Sequence, residues 1–103
     1  MAYKVIETQL SQKDLSDIVD YIVYSLENPS AAALFLDEVE ACYETLEQFP
    51  MMFEACRDPY LKASGYRKAG IRNYMMIYKV HEATKTVSIM RFFHGRQDYE
   101  KLI

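Results

Sequence analysis

The spacing of apolar residues changes between the two halves of this chain, and that change limits its folds more than any other feature. Residues 11–49 place apolar side chains at helical steps of three and four, whereas residues 66–94 contain short runs of β-favouring types. Another β-favouring run, residues 2–9, precedes the helical part. The order strand, helix, helix, strands predicts an α+β fold with the helices packed on one face of an antiparallel sheet.

The first helix is predicted to begin after the opening strand. Ser11 has the character of an N-cap, Asp14 would close a capping box, and Leu10 could pack on Leu15. The apolar stripe of this helix is Leu15, Ile18, Val19, Ile22 and Leu26. The second helix would form an antiparallel hairpin with it.

Asn28-Pro29 separates the two helices, because proline suits a first helical position and disfavours a helical residue before it. Pro50 ends the second helix. Its apolar stripe is Phe35, Val39, Cys42, Leu46 and Phe49. The acidic residues between these positions are typical of a solvated helix face.

An irregular connection is expected over residues 51–64, where the periodicity is lost. Three strands follow, at 66–69, 72–81 and 86–94, and the four residues Glu82 to Lys85 have a suitable length for a hairpin loop. These strands would form a three-stranded antiparallel meander. Residues 1–103 are too few for two cores, so one domain is expected.

The formal net charge of −3 conceals an uneven distribution. Residues 1–56 contain two lysines and eleven acids, a net of −9, whereas residues 57–103 contain ten basic residues and four acids, a net of +6. The second half is therefore the better candidate for binding anions. Neither a signal peptide nor a membrane span is indicated, so we expect a cytoplasmic protein with no membrane partner.

The two cysteines, Cys42 and Cys56, show no metal-binding spacing and no flanking histidines. Cys42 fits a small apolar residue on the buried face of the second helix. We expect no disulfide framework, no metal and no cofactor.

The last third of the chain resembles the RelE/ParE toxin superfamily of type II toxin–antitoxin systems, which includes plasmid stabilisation proteins. The resemblance lies in residues 65–68, 73–80 and 89–98, the last of which contains His94-Gly95-Arg96-x-Asp98. It implies the same order of elements over the whole chain. It also implies a growth-inhibiting toxin that a cognate antitoxin neutralises in a toxin–antitoxin hetero-oligomer, by wrapping an extended, partly helical tail around it.

Met75 decides which branch of the superfamily the chain resembles more. The ribonuclease branch typically reads Tyr-Arg-x-x-Tyr where this chain has Tyr74-Met75-Met76-Ile77-Tyr78. Methionine cannot offset the charge that develops on a phosphate during cleavage. The resemblance therefore favours a ParE-like protein that binds a target such as DNA gyrase. The alternatives are a RelE-like ribosome-dependent mRNA endonuclease and a non-toxic relative that acts as a binding module.

A metal-free endoribonuclease needs an acid, a base and cations held close together. If the chain is one, the candidate catalytic residues are His94, Arg91, Arg96, Arg72 and Tyr99. The candidate residues for binding a target or nucleic acid are Arg67, Lys68, Arg72 and Arg96. Strand alternation should place Arg91 and His94 on opposite faces, which argues against a compact site.

Two further interpretations of these residues stay open at this point. His94-Gly95-Arg96-x-Asp98 could be a turn at a strand end, in which Asp98 pairs with Arg96. Tyrosines interleaved with cations in residues 66–79 suit a surface for single-stranded RNA, and equally suit a half-buried sheet.

Overall fold

The structure is a computed structural model, and it describes residues 2–95. The helices are α1 (Gln9–Asp20), α2 (Pro29–Gln48) and α3 (Pro59–Ala63), and a π-helical turn (Tyr21–Ser25) continues α1. The strands are β1 (Lys4–Glu7), β2 (Tyr66–Ile71), β3 (Tyr74–His81) and β4 (Thr86–His94). The predicted α+β order of elements is confirmed.

Helix α1 begins three residues before the position that the sequence suggested. Its N-cap is Thr8, whose hydroxyl accepts the Ser11 N–H at 3.1 Å. That hydroxyl also donates to the carbonyl of Ile89 on β4 at 2.8 Å, so a long-range contact fixes the cap. Ser11 is buried inside the first turn and donates to the Thr8 carbonyl. The prediction of a capping box between Ser11 and Asp14 was wrong, because Asp14 contacts β4 instead.

Helix α2 follows its local signals closely. The Asn28 side chain caps it by accepting the Ala31 N–H at 3.1 Å, and the helix ends at Gln48 before Pro50. Four residues of its predicted apolar stripe are buried, namely Phe35, Val39, Cys42 and Leu46. Two members of the predicted stripes are not in the core.

Leu26 and Phe49 are 54% and 64% exposed. Leu26 follows the π-helical turn, which rotates later residues relative to an α-helical stripe. Phe49 has already left the helical conformation, with φ −133° and ψ 71°. Both departures arise where the backbone leaves α-helical geometry.

The sheet has the order β1-β4-β3-β2. Strands β2, β3 and β4 form the predicted antiparallel meander. Strand β1 pairs with β4 in parallel, so the whole sheet is mixed rather than antiparallel. The Tyr43 hydroxyl of α2 donates to Glu7 at 2.8 Å and holds β1 under the helices. Burial and this contact with Glu7 raise the pKa of Tyr43.

Strand β1 is shorter than the predicted residues 2–9, because α1 already begins at Gln9, and the later strand boundaries differ from the predicted ones around the turn between β2 and β3. Strand β2 extends to Ile71, and β3 begins at Tyr74 rather than at residue 72. Arg72 adopts a left-handed conformation with φ 55°, which places it in the turn instead of in a strand. The sheet therefore ends at a tight turn beside α2.

Apolar side chains pack on both faces of the sheet. Helices α1 and α2 cover one face, where Met76 and Tyr78 of β3 join the main core. Ile77 points to the opposite face and belongs to a second cluster with Phe93, Cys56 and Leu61. The segment expected to be irregular supplies Cys56 and forms α3, which Asp58 caps. No helix within residues 2–95 has the length and apolar character needed to span a membrane.

Candidate functional site

Arg91 is held by a carboxylate on the neighbouring helix. Its Nε and Nη2 atoms donate to Asp14 at 2.7 and 3.1 Å, and the Phe92 N–H donates to the same carboxylate at 3.0 Å. The side chains of Arg91 and Asp14 are only 26% and 15% exposed. The hydrogen bonds that Arg91 donates to Asp14 raise the pKa of the guanidinium above its usual value. This guanidinium therefore anchors α1 to β4.

His94 ends β4 and lies on the face that the helical hairpin covers. Its ring meets the Tyr74 ring edge-on, with 5.8 Å between centroids. Arg91 instead stacks on Phe93, at 4.8 Å from the ring centroid, on the other face. The strand alternates between these residues because its bulge, at Met90, comes earlier. His94 and Arg91 are thus not brought together.

The remaining candidate cations within the described residues lie on β2 or in the turn that follows it. Arg72 lies in the turn after β2, and its Nε is 3.0 Å from Glu38 on α2. Both side chains are nearly half exposed, so this ion pair contributes little stability.

Arg67 and Lys68 are adjacent on β2 and therefore point to opposite faces of the sheet. Arg67 Nη1 donates to the Phe53 carbonyl at 2.7 Å, and Lys68 lies 3.4 Å from Glu54. The predicted cationic residues within the described chain do not converge on one point.

Met75 is partly buried and packs against the second apolar cluster, which consists of Cys56, Leu61, Ile77 and Phe93. A cation at this position would enter an apolar surrounding without a carboxylate among the described cluster members. Met75 therefore contributes apolar packing on this face of β3, although its side chain is only partly buried.

The tyrosines of β3 serve the core more than a nucleic-acid surface. Tyr78 is fully buried and donates to the Pro50 carbonyl at 3.0 Å. Burial raises its pKa to about 12. Tyr74 packs against Phe35 with 5.1 Å between ring centroids, and burial raises its pKa as well. On the opposite face, Lys79 lies over the ring of Tyr66 at 5.4 Å.

A cavity of about 510 Å³ opens at the edge of the sheet where β2 and β4 end and β3 begins. It is lined by Gly70, Arg72, Asn73, Tyr74, Met75, His94 and Gly95. His94 and Arg72 thus border a common space, although Arg72 pairs with Glu38. Arg96 and Tyr99, the other predicted site residues, lie outside the described residues.

The comparison with family models decides the assignment. The model described as the ParE toxin of type II toxin–antitoxin systems, parDE, matches residues 5–99. The chain belongs to the ParE toxin family. Among curated proteins, none matches this sequence closely.

Solved structures of both branches of the superfamily share the fold of this ParE-family chain. One is the chromosomal ParDE system of P. aeruginosa, with 18% identity, a TM-score of 0.69, and coverage of 90% of this chain and 96% of that one. Another is the RelBE2 toxin–antitoxin complex of Mycobacterium tuberculosis, with 22% identity, a TM-score of 0.65, and coverage of 91% and 99%. A third is a mutant of the E. coli RelE toxin in the free state, with 15% identity, a TM-score of 0.62, and coverage of 99% and 93%.

Sequence reasoning found the cations of this ParE-family chain but missed their partners. Asp14 was interpreted as a capping residue and Glu38 as a solvated acid, although they pair with Arg91 and Arg72. Each partner lies on a helix distant in sequence from the strand or turn that it contacts. A single sequence contains no local signal for such pairs.

Proposed function

We propose that this chain is a ParE-like toxin that inhibits growth by binding a protein target such as DNA gyrase. A cognate antitoxin neutralises it by wrapping an extended, partly helical segment around it. The proposal goes beyond family membership, because the fold is common to ParE-like and RelE-like proteins.

One observation carries the non-enzymatic interpretation. The position where the ribonuclease branch has a strand arginine is Met75, packed in the second apolar cluster. Stabilising a developing phosphate charge needs donors aimed at a shared point. Arg91 is instead held by Asp14, and Arg67 by the carbonyl of Phe53. This arrangement supports binding rather than cleavage.

Two of the similar solved structures support an antitoxin partner, because each contains a toxin bound to its antitoxin. The RelBE2 structure of Mycobacterium tuberculosis and the RelE–RelB structure of Pyrococcus horikoshii OT3 are complexes. An extended segment that orders on binding can cover a large area of a small toxin.

A RelE-like endonuclease is the second candidate function, and the position of His94 favours it. This residue borders the 510 Å³ cavity at the sheet end together with Arg72. A histidine there could transfer a proton to or from a bound RNA.

The test is induced expression without antitoxin, followed by separate pulse labelling of DNA, RNA and protein synthesis. We expect DNA synthesis to stop first, with gyrase trapped on cleaved DNA. An early stop of protein synthesis with messages cut on ribosomes contradicts the proposal and favours the endonuclease. Normal growth despite full expression indicates a non-toxic binding relative.

Purified components provide the second readout. Wild-type chain should inhibit DNA supercoiling by gyrase, and His94→Ala should inhibit equally well, since no proton transfer is involved. Loss of toxicity in His94→Ala, with an unchanged melting temperature, contradicts the ParE-like mechanism.

A further inference from the structure

The helical layer and the sheet of this chain carry charges of opposite sign. Residues 9–48, which form the helical hairpin, contain nine acids and one lysine, a net of −8. The four strands contain five lysines and arginines and one acid, a net of +4. That acid is Glu7, which lies on the helical side and accepts the Tyr43 hydroxyl at 2.8 Å. We call the opposite side of the sheet the open face, and these strands supply it with no acidic side chain.

Polar side chains gather on the open face near the β3–β4 hairpin. Strand β4 lies between β1 and β3, and its Thr86 pairs with Lys4 on one side and with His81 on the other. Two residues later along β4, Ser88 pairs with Lys79. Directly paired residues point to the same face, and so do residues two apart on one strand. The hairpin-end patch consists of these five residues.

The hairpin-end patch faces away from the helices and is open to solvent. Its neighbours along the strands, Val80 and Val87, are buried in the main core, so the alternating side chains of the patch point the other way. Lys4 is exposed, and the other four residues are partly exposed. The second apolar cluster packs farther from the hairpin, on Ile77 and Phe93. It leaves the patch uncovered.

Two ammonium groups of the patch are available to an anion. The ion pairs formed within residues 2–95 involve neither Lys4 nor Lys79. The Lys79 ammonium lies 5.4 Å from the centre of the Tyr66 ring, a contact that leaves its hydrogen-bond donors unused. Arg91, on the same face, is instead held by Asp14. The patch therefore presents two positive charges that no carboxylate of the described residues neutralises.

A hydrogen bond inside the patch leaves a further donor. His81 Nε2 and Ser88 Oγ lie 3.1 Å apart. If the ring donates, the Ser88 hydroxyl keeps its own hydrogen for a ligand, and if the hydroxyl donates, the other ring nitrogen of His81 carries an N–H. The Thr86 hydroxyl already donates to the Thr84 carbonyl at 3.2 Å and stabilises the hairpin. Either arrangement of the His81–Ser88 pair gives the patch a donor beside its two ammonium groups.

We propose that the hairpin-end patch binds the phosphate backbone of duplex DNA, and that this chain thereby contacts the DNA that gyrase holds. The gyrase part of this inference rests on the proposed function. Ammonium groups and serine hydroxyls are among the donors through which proteins contact DNA phosphates. Such contacts position a protein on the duplex and need no particular base sequence.

The opposite charges of the two layers support this direction of docking. A polyanion repels the helical hairpin and attracts the open face, so the chain approaches DNA with the open face first. A helix is about 10–12 Å across, so acids on its outer side lie at least one Debye length of about 8–10 Å from the open face near physiological salt. The net charge of −3 therefore does not prevent binding through the patch.

The aromatic rings of the open face favour a duplex over a single strand. The strands place two such rings there, Tyr66 and Phe93, and neither is free for stacking. Lys79 lies over Tyr66, and Phe93 is buried with Arg91 4.8 Å from its ring centroid. Proteins that bind single strands need exposed rings on which the bases stack. The patch offers contacts to the backbone alone, which suits a duplex whose bases already stack on one another.

The first test follows the backbone amide signals of the full chain by NMR during titration with a mixed-sequence DNA duplex of about 20 base pairs, at about 0.1 M salt. The amides of Lys4, Lys79 and Ser88 should shift, whereas those of Ala33 and Glu40, on the exposed side of α2, should not. Larger shifts with single-stranded RNA of the same length overturn the proposal. Patch shifts that depend on the concentration of the chain rather than on DNA indicate a second copy on the patch, and also overturn it.

Two charge reversals test the patch by affinity. Lys4→Glu changes an exposed residue of the patch, and Lys13→Glu is the matched control, because it makes the same change on the helical layer at a side chain that is 73% exposed. We expect Lys4→Glu to weaken duplex binding by about tenfold or more and Lys13→Glu to weaken it by less than about threefold. Lys4→Arg keeps the charge and should bind within about threefold of the wild type. Equal affinity of folded Lys4→Glu and Lys13→Glu overturns the proposal.

The salt dependence of binding distinguishes a phosphate contact from a structural role. Lys79→Gln should lower the slope of log affinity against log salt concentration by about one, because one phosphate contact fewer releases fewer counterions. An unchanged slope in folded Lys79→Gln contradicts the contact at this residue and overturns the patch as drawn.

Inhibition of DNA supercoiling by purified gyrase separates the patch from the proposed function. Lys4→Glu should require about tenfold more protein than the wild type for the same inhibition, and Lys13→Glu should act like the wild type. A wild-type chain that inhibits gyrase but shows no patch shifts with DNA overturns the patch alone. Patch shifts with DNA but no effect on supercoiling support the patch and overturn the proposed function.

Discussion

At the scale of single residues, Asp14 has a sequence pattern typical of a local helix cap but makes a long-range contact with β4. It lies in the second turn of α1, where the sequence suggested helix capping. Its carboxylate accepts three hydrogen bonds from β4, two from the Arg91 side chain and one from the Phe92 N–H. Because this contact holds the Arg91 guanidinium on Asp14, Arg91 is not available to bind a phosphate or another anion.

We expect Asp14→Ala to lower the free energy of unfolding by about 2–3 kcal/mol, because it leaves a largely buried guanidinium and a backbone N–H without this acceptor. Urea denaturation at neutral pH measures the change. The matched control is Asp17→Ala on the same helix. Asp17 pairs with Lys13 at 3.0 Å, but both side chains are more than 60% exposed, so its loss should cost about 0.5 kcal/mol or less.

A double mutant separates the pair from its surroundings. Arg91→Met should be milder than Asp14→Ala, and combining the two should cost less than the sum of the single losses. Equal effects of Asp14→Ala and Asp17→Ala would contradict the structural role given to Asp14.

At the scale of elements, local signals predicted α2 better than α1. Asn28, Pro29 and Pro50 act through neighbouring residues, so the sequence contains their whole effect. The start of α1 depends on Thr8, whose hydroxyl bonds β4 more than eighty residues later. Sequence periodicity found both helices, but only the tertiary contact decides which hydroxyl caps the first.

The apolar stripe of α2 leads to a prediction for the helical hairpin. Val39→Asp should unfold the domain at ambient temperature, because Val39 is 2% exposed and an unpaired carboxylate in the core costs several kcal/mol. Ala33→Asp is the control, since it places the same side chain on the exposed face of the same helix. Circular dichroism and thermal melting compare the two. A folded Val39→Asp with a melting temperature near that of Ala33→Asp contradicts this packing.

At the scale of the whole molecule, the pairing of β1 could not be deduced from the sequence. Strand alternation is the same in parallel and antiparallel pairs, and β1 is separated from β4 along the chain by the helical hairpin and two strands, so no local signal sets their relative direction. The second cluster was missed for a related reason. Cys56 and Leu61 come from a segment without periodicity, and their burial depends on Ile77 and Phe93.

For the candidate site, too, some features could be predicted from the sequence and others required the fold. Residue types predicted His94 and the arginines as chemically capable, and strand alternation predicted that His94 and Arg91 would lie apart. The ion pairs that hold Arg91 and Arg72 arise from the packing of helices on the sheet. Chemistry could thus be predicted residue by residue, whereas the availability of each group required the fold.

Each of the two apolar clusters contains one buried cysteine, and the two clusters differ in the helices that cover them. Cys42 lies in the main core, where burial raises its pKa to about 11, so its thiol reacts only when that core opens. Cys56 lies beneath α3, which has five residues. So short a helix has little stability of its own and depends on the packing of Leu61.

We therefore expect the second cluster to open without global unfolding. Leu61→Ala should speed the reaction of Cys56 with a thiol reagent by about tenfold or more, while Cys42 reacts no faster than global unfolding allows. The matched control is Leu46→Ala in the main core, which should speed both thiols together. Labelling of native protein followed by mass spectrometry distinguishes the two cysteines. If Leu61→Ala speeds both equally, the two clusters unfold as one unit, because only a shared opening exposes both thiols at the same rate.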